Sequence, residues 1–395
     1  MTESLHANGK EKKVGFELNS DVLKYVKDCE AEAIALLQTL CAIPAPSGKE
    51  EKRAEFVKNW LTNAGCEGVY IDEALNVIYP VNCEGRDDIV VFLAHTDTVF
   101  PDLEPMPVVN DGEYIHSPGV GDDTACLVHL MMVARYVAQN NIKPKRGVIF
   151  LANSCEEGLG NLKGTRQFMK DFEGRIKNLY SFDAVYTHYI NKCVGSHRYR
   201  LTFRTEGGHS YNRFGNRNAI HAASDVVCKL YECVVPGKEG TKTTYNVGGI
   251  EGGTSVNTIA QEAKVLYEYR SDDSECLAKM QKFFEDTIED AKRRKIADID
   301  VEIIGIRPCG IAVDEQEFAD MCNRAETISK KHSGVECVES SGSTDCNIPM
   351  SMGIPAVCVG TYIGYGAHTR EEKVLISSLP VGQKIAFELI LGYFE

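Results

Sequence analysis

The chain reads as an α/β protein whose main sheet is buried on both faces, with a smaller ferredoxin-like α+β layer inserted in it. Two runs, Ile89-Val90-Val91-Phe92-Leu93-Ala94 and Gly147-Val148-Ile149-Phe150-Leu151-Ala152, are wholly apolar, the texture of strands covered on both sides. A helical stretch at about 124–139 lies between them, giving the strand–helix–strand order of an α/β unit. From about residue 195 to 306 the texture changes, and the order becomes strand-helix-strand-strand-helix-strand, which suggests the inserted layer.

The first helix is expected from Ser20, a good N-cap, to about residue 41, with Val22, Tyr25, Val26, Cys29, Ala33, Ile34, Leu37 and Leu40 on one face. Ile43-Pro44-Ala45-Pro46 ends it, because proline cannot continue the ladder. Ser47-Gly48-Lys49-Glu50 reads as a capping box opening a second helix toward residue 64. After the two apolar strands, Tyr199-Arg200-Leu201-Thr202-Phe203-Arg204 alternates like a half-exposed strand. A helix at about 219–234 follows. Two strands then flank Gly248-Gly249-Ile250-Glu251-Gly252-Gly253, the second ending at Arg270, before a helix at 274–294 and a strand at 300–306. A further helix and a strand at 356–360 return to the first architecture. There is no internal repeat or low-complexity segment.

With 395 residues the chain exceeds one ordinary core, so two domains are expected: a discontinuous one, 1–194 and 307–395, and the insert 195–306. Hydrophobic residues are 43% and charged residues 25%, a globular balance. The formal net charge of -14 argues against nucleic acid or an anionic membrane as partner. No apolar run is long enough to cross a bilayer. Residues 1–13 are polar, lack a signal-peptide core and read as a mobile tail. The fifteen cysteines are scattered, without a Cys-x-x-Cys pair, and fit reduced thiols in the cytoplasm.

The chemistry concentrates where apolar runs end. His95-Thr96-Asp97 follows the first strand, Asp122-Asp123 follows two glycines and precedes an apolar helix, and Glu156-Glu157 follows the second strand. Ligands of such sheets gather beyond the carboxyl ends of the strands. His95 is a candidate metal ligand, and Asp97 could orient it by accepting its other ring proton. One aspartate would serve as a helix N-cap; two in succession exceed that need. Glu156-Glu157 offers one carboxylate to bind metal and one to take a proton from water. His368-Thr369-Arg370-Glu371 adds an imidazole near the end of the chain. In the insert, His209 stands at a Gly-Gly turn, where it could stabilise a developing oxyanion, and Asn257 and Arg270 could hold a substrate carboxylate. The other histidines read as structural or surface residues.

Taken together these segments resemble the co-catalytic zinc exopeptidases of metallopeptidase family twenty, which includes peptidase T, glutamate carboxypeptidase, aminoacylase, acetylornithine deacetylase and succinyl-diaminopimelate desuccinylase. The ordered pieces are Ile43-Pro44-Ala45-Pro46-Ser47-Gly48, His95-Thr96-Asp97, Gly119-Val120-Gly121-Asp122-Asp123, Glu156-Glu157-Gly158, Asp183, Gly207-Gly208-His209-Ser210, Gly252-Gly253-Thr254-Ser255-Val256-Asn257, Ser343-Thr344-Asp345 and Ala367-His368-Thr369-Arg370-Glu371. The chain departs from the pattern at Thr124, where the family often has Lys, and at Ala260 in Asn257-Thr258-Ile259-Ala260, where it has Pro.

The resemblance implies a zinc-exopeptidase-like catalytic domain with a buried mixed sheet, and an insert that serves as lid and dimerisation domain. It implies two zinc ions per subunit, with cobalt or manganese as substitutes. Asp122 would bridge them, His95 and Asp183 would complete one site, and Glu157 and His368 the other. Asp97 would orient His95, Glu156 would be the general base, and His209 with Asn257 or Arg270 would contact the tetrahedral intermediate and the substrate carboxylate. The Asp122-Asp123 peptide is expected to be cis. The implied activity is amide cleavage of small peptides, as by a di- or tripeptidase, or deacylation of N-acyl amino acids, by a homodimer joined through the insert. A metal-binding protein without catalysis is the remaining reading.

Overall fold

A computed structural model of the chain describes residues 17–394. The tail expected at 1–13 lies outside the described residues. The central sheet has eight strands in the order Tyr70–Ile71, Val77–Val81, Val148–Asn153, Ile89–His95, Ile176–Phe182, Ala356–Val359, His188–Cys193, Val338–Gly342. Ile89–His95 pairs in parallel with Val148–Asn153 and Ile176–Phe182, and the latter pairs in parallel with Ala356–Val359. Antiparallel pairs flank this parallel centre, so the sheet is mixed. Every residue of Ile89–His95 and Val148–Asn153 is buried, as their unbroken apolar runs require.

Alternate residues along these strands feed two cores. On one face Val90, Phe92 and Ala94 pack with the helices Cys126–Gln139 and Leu379–Leu391. On the other, Val91 and Leu93 pack with Phe168, Met169 and Phe172 of and after the helix Lys163–Asp171. Among the described residues no helix is long and apolar enough to cross a membrane.

A second sheet of four strands has the order Thr243–Gly252, Glu262–Ser271, Gly195–Arg204, Asp298–Arg307, with all neighbours antiparallel. With the helices Ala219–Leu230 and Ser274–Arg293 it follows the strand-helix-strand-strand-helix-strand order expected. It has its own core, in which Tyr199, Leu201, Phe203, Val265, Tyr267 and Tyr269 meet Ala222, Val226, Met280 and Phe284.

Four local expectations are corrected. The first helix is divided into Ser20–Asp28 and Glu30–Cys41, because Cys29 leaves helical geometry at φ -98°, ψ 5°. Its N-cap is Asn19, whose side chain accepts the N–H of Asp21 and Val22; Ser20 is already helical. Ser47 is not the cap of the helix Glu51–Asn63: its hydroxyl donates to Asp97 at 2.6 Å, while Glu50 accepts the Gly48 N–H. The strand Thr243–Gly252 runs through the glycine-rich segment, and a bulge between Val247 and Gly249 absorbs the irregularity.

Candidate metal centre

Three of the five ligand side chains stand at or just beyond the carboxyl ends of the parallel strands. His95 is the last residue of Ile89–His95, and Asp183 directly follows Ile176–Phe182. Asp122 lies in a tight turn between Gly119, at φ 74°, and the helix Cys126–Gln139. The Asp122–Asp123 peptide is cis, as expected. Glu157 follows Val148–Asn153, and His368 sits in a loop at φ 65°.

These side chains form two triads that share one residue. His95, Asp122 and Asp183 bring their ligand atoms within 4.8 Å of one another, and so do Asp122, Glu157 and His368. The two oxygens of Asp122 serve different triads: Oδ1 is 3.0 Å from His95 Nε2, and Oδ2 is 3.0 Å from His368 Nε2. His368 Nε2 is also 3.1 Å from Glu157 Oε1.

The electrostatics are those of a buried anionic cluster. Burial pushes the Asp183 carboxyl up to about 7, and the charge of Asp122 adds to it. Burial likewise raises Glu157. Hydrogen bonds to the Asp122 and Glu157 carboxylates lift His368 to about 11. Three carboxylates and two imidazoles, in two groups around one shared carboxylate, are a donor set that fits a pair of divalent cations, zinc among them.

The supporting shell is dense. Asp97, fully buried, accepts the backbone N–H of Glu156 at its Oδ1 and of Glu157 at its Oδ2, each at 2.9 Å, and the Ser47 hydroxyl at Oδ2. His95 Nδ1 is 3.0 Å from the Asp97 carbonyl oxygen and 3.4 Å from its carboxylate, so the ring is held mainly by the backbone acceptor. Asp123 is no helix cap; its Oδ2 accepts the backbone N–H of His95 at 2.9 Å. Asn153 donates to Asp345 at 2.6 Å, a contact that ties the second strand end to Ser343-Thr344-Asp345.

A cavity of about 510 Å³ opens on the triads. Asp122, Glu156, Glu157, Asp183 and His368 line it from one side and Arg198, Arg270 and Arg307 from the other. Glu156 is buried, its Oε1 3.2 Å from Arg307 Nη1. Burial pushes its carboxyl well up, the charges of Asp345 and Glu157 add to this, and Arg307 opposes it.

His209 and Asn257 do not line this cavity. They neighbour each other on a two-stranded ribbon, where His209 pairs with Thr258 and the Asn257 carbonyl accepts the Ser210 N–H. His209 is exposed, with its Nδ1 facing the N–H of Tyr211 at 3.3 Å. Arg270 reaches the cavity but is forked on Glu268, with contacts of 3.0 and 3.0 Å.

Three further residues were not legible in the sequence. Glu372 accepts the backbone N–H groups of Gly119, Gly121 and Asp122 at 2.7, 2.8 and 2.9 Å. Arg307 ends a strand of the second sheet, and Arg198 lies within another. The only local signal was the adjacency of Glu372 to the His368-Thr369-Arg370-Glu371 segment.

Known proteins are similar to this chain in sequence and in fold. The family model described as "Peptidase family M20/M25/M40" matches residues 91–392. The "Uncharacterized protein YqjE" of Bacillus subtilis (strain 168) is 26% identical over 321 residues, covering 77% of this chain and 81% of that protein. A succinyl-diaminopimelate desuccinylase of Corynebacterium glutamicum is 25% identical over 260 residues, 64% of this chain and 69% of its own. The crystal structure of a tripeptidase from Staphylococcus aureus superposes with a TM-score of 0.74 at 22% identity, covering 92% of this chain and 98% of that one.

Proposed function

The chain belongs to peptidase family M20/M25/M40, and from that membership we propose that it is a di-zinc hydrolase cleaving an amide bond near the end of small peptides. The observation that carries this reading is the pair of ligand triads sharing Asp122 beside the buried carboxylate of Glu156. His95, Asp122 and Asp183 would hold one ion, and Asp122, Glu157 and His368 the other. Bound there, the two ions supply Lewis acidity toward the scissile carbonyl and lower the pKa of the attacking water.

Glu156 takes the proton from that water and returns it to the leaving amine nitrogen. Asp97 positions Glu156 and Glu157 through their backbone N–H groups, so that one carboxylate faces the metals and the other the substrate. Arg270 receives the substrate's terminal carboxylate. His209 and Asn257, neighbours on one ribbon, act together on the developing oxyanion.

The likeness to a tripeptidase supports the peptidase reading, and the desuccinylase relative supports a second one, deacylation of N-acyl amino acids. Zinc-loaded protein offered tripeptides alongside N-acetyl and N-succinyl amino acids separates them. Release of free amino acid from tripeptides is expected; turnover of the acylated set alone would replace the peptidase reading with the second.

The second sheet's own core, separate from the two that flank the main sheet, supports a division into a catalytic part, 1–194 and 307–395, and an insert, 195–306, that acts as lid. We infer a homodimer through the insert. Its support is the outer strand Thr243–Gly252, bonded on one side only within its sheet, and the position of His209 outside the cavity of its own chain. The free thiols of all fifteen cysteines support a cytoplasmic setting.

A further inference from the structure

The insert side of the cavity carries more positive charge than one substrate carboxylate would use. Arg198, Arg270 and Arg307 come from three adjacent strands. Arg270 and Arg307 both pair with Ser196 of the central strand, from opposite sides, and Arg198 stands two residues further along, opposite Glu268. The two-residue period of a strand puts all three on one face, the one turned away from the insert's helices.

Two of these guanidiniums have short contacts within the protein. Arg270 is forked on Glu268, and Arg307 holds Glu156 and Ser343. Arg198 has only long contacts: Nη1 to the Gly158 carbonyl oxygen at 3.3 Å, and Nε to Glu268 Oε2 at 3.5 Å, an oxygen that already serves Arg270. Its side chain is nevertheless only 23% exposed. Arginine's planar fork is made for two parallel bonds to a carboxylate, and removing it from water without them is unfavourable. Arg307 and Arg270 beside it add repulsion.

Two independent features mark the same place. Ser196, between Arg270 and Arg307 in the register, is fully buried with a hydroxyl that has no partner among the described residues. Gly305, directly opposite Arg198, lets the sheet close on the loop after Glu157; a Cβ there would stand 3.2 Å from Asn161 Oδ1.

We propose that Arg198 binds a second carboxylate of the substrate, and that the enzyme acts on dicarboxylic substrates: peptides or N-acyl amino acids with an acidic group besides the one taken by Arg270. This rests on reading the cavity as the hydrolytic site. Glu268, within 3.0 Å of Arg270 and 3.5 Å of Arg198, shows that a carboxylate can sit between the two.

The test uses two pairs of near-isosteric ligands, alanyl-glutamate with alanyl-glutamine and N-acetylglutamate with N-acetylglutamine. Their binding to zinc-loaded Glu156→Gln protein is measured by calorimetry. In at least one pair the acid is expected to bind about tenfold or more tightly than the amide. Adding Arg198→Met brings that ratio to about one, and Arg198→Lys restores part of it. Equal affinity of acid and amide in both pairs overturns the proposal, as does an acid-over-amide ratio that survives Arg198→Met. Hydrolysis of the same compounds by the protein with Glu156 intact is followed in parallel. An Arg198-dependent preference without cleavage keeps the anion subsite and removes the hydrolase reading; cleavage without the preference does the reverse.

Discussion

Glu372 Oε1 accepts the backbone N–H of Asp122 at 2.9 Å across 250 residues of chain. With the N–H groups of Gly119 and Gly121 on the same carboxylate, it holds the turn that aims the shared metal ligand. Burial raises Glu372 to about 7, the charge of Asp122 adds to this, and the backbone N–H groups of Asp122, Gly119 and Gly121 oppose it.

Glu372→Gln keeps the volume but turns an amide N–H₂ toward backbone N–H groups. Zinc affinity is expected to fall about 10- to 100-fold, the usual effect of losing a residue that orients a ligand. Calorimetric titration of metal-free protein measures it; unchanged affinity at both sites would remove the positioning role.

Glu156→Gln leaves both ligand triads intact. Metal content by atomic absorption is expected to match the parent, while kcat falls about 10²- to 10⁴-fold, the range of a lost general base. Retained turnover would contradict the assignment of Glu156.

Metal-free protein should lose stability as pH rises. Asp183 and Glu372, each raised to about 7, disfavour the folded state progressively above their unfolded values near 4, until pH passes about 7. His368, raised to about 11, contributes stability that is complete below about 6.5 and lost as pH climbs to about 11. Both effects have the same sign. Zinc requires the same groups deprotonated, so the rise in Tm on adding zinc is expected to be larger at pH 8 than at pH 5. Calorimetry at the two pH values, with and without zinc, checks the order.

If His209 acts across a dimer, two inactive proteins should rescue one another. His209→Ala and Glu156→Gln each abolish most turnover. An equal mixture, unfolded and refolded together, is expected to recover about a quarter of parent activity, because half the dimers are mixed and each holds one complete site. No recovery, with dimers seen by sedimentation, would place His209 in its own subunit's site.

The two buried strands, the loops at their ends and the element order of the second sheet were legible because each depends on local pattern. An unbroken apolar run, an acidic pair after it and a two-residue alternation can all be read within a few residues. The errors share that origin. Ser47-Gly48-Lys49-Glu50 fits a capping box, yet Ser47 turns to a buried carboxylate 50 residues away, which offers a stronger, charge-assisted bond. Asp123 fits a cap, yet it serves the backbone of His95.

By itself, the sequence determined that His95 and Glu156-Glu157 follow buried strands, that Asp122 stands at the entry of a helix and that His368 lies near the end of the chain; Asp183 entered through the family resemblance. It also determined that the family's ordered pieces are all present. Only the tertiary structure decided that Asp122 lends one oxygen to each triad, that Glu372 props it, and that Arg198, Arg270 and Arg307 line one cavity with the triads. The strands that carry the arginines are joined to one another through sheet register and reach the triads through contacts such as Arg307 to Glu156, 151 residues apart. Hydrogen bonds and charges act through space over a few ångströms, and their partners here are separated along the chain by far more than any local pattern can span.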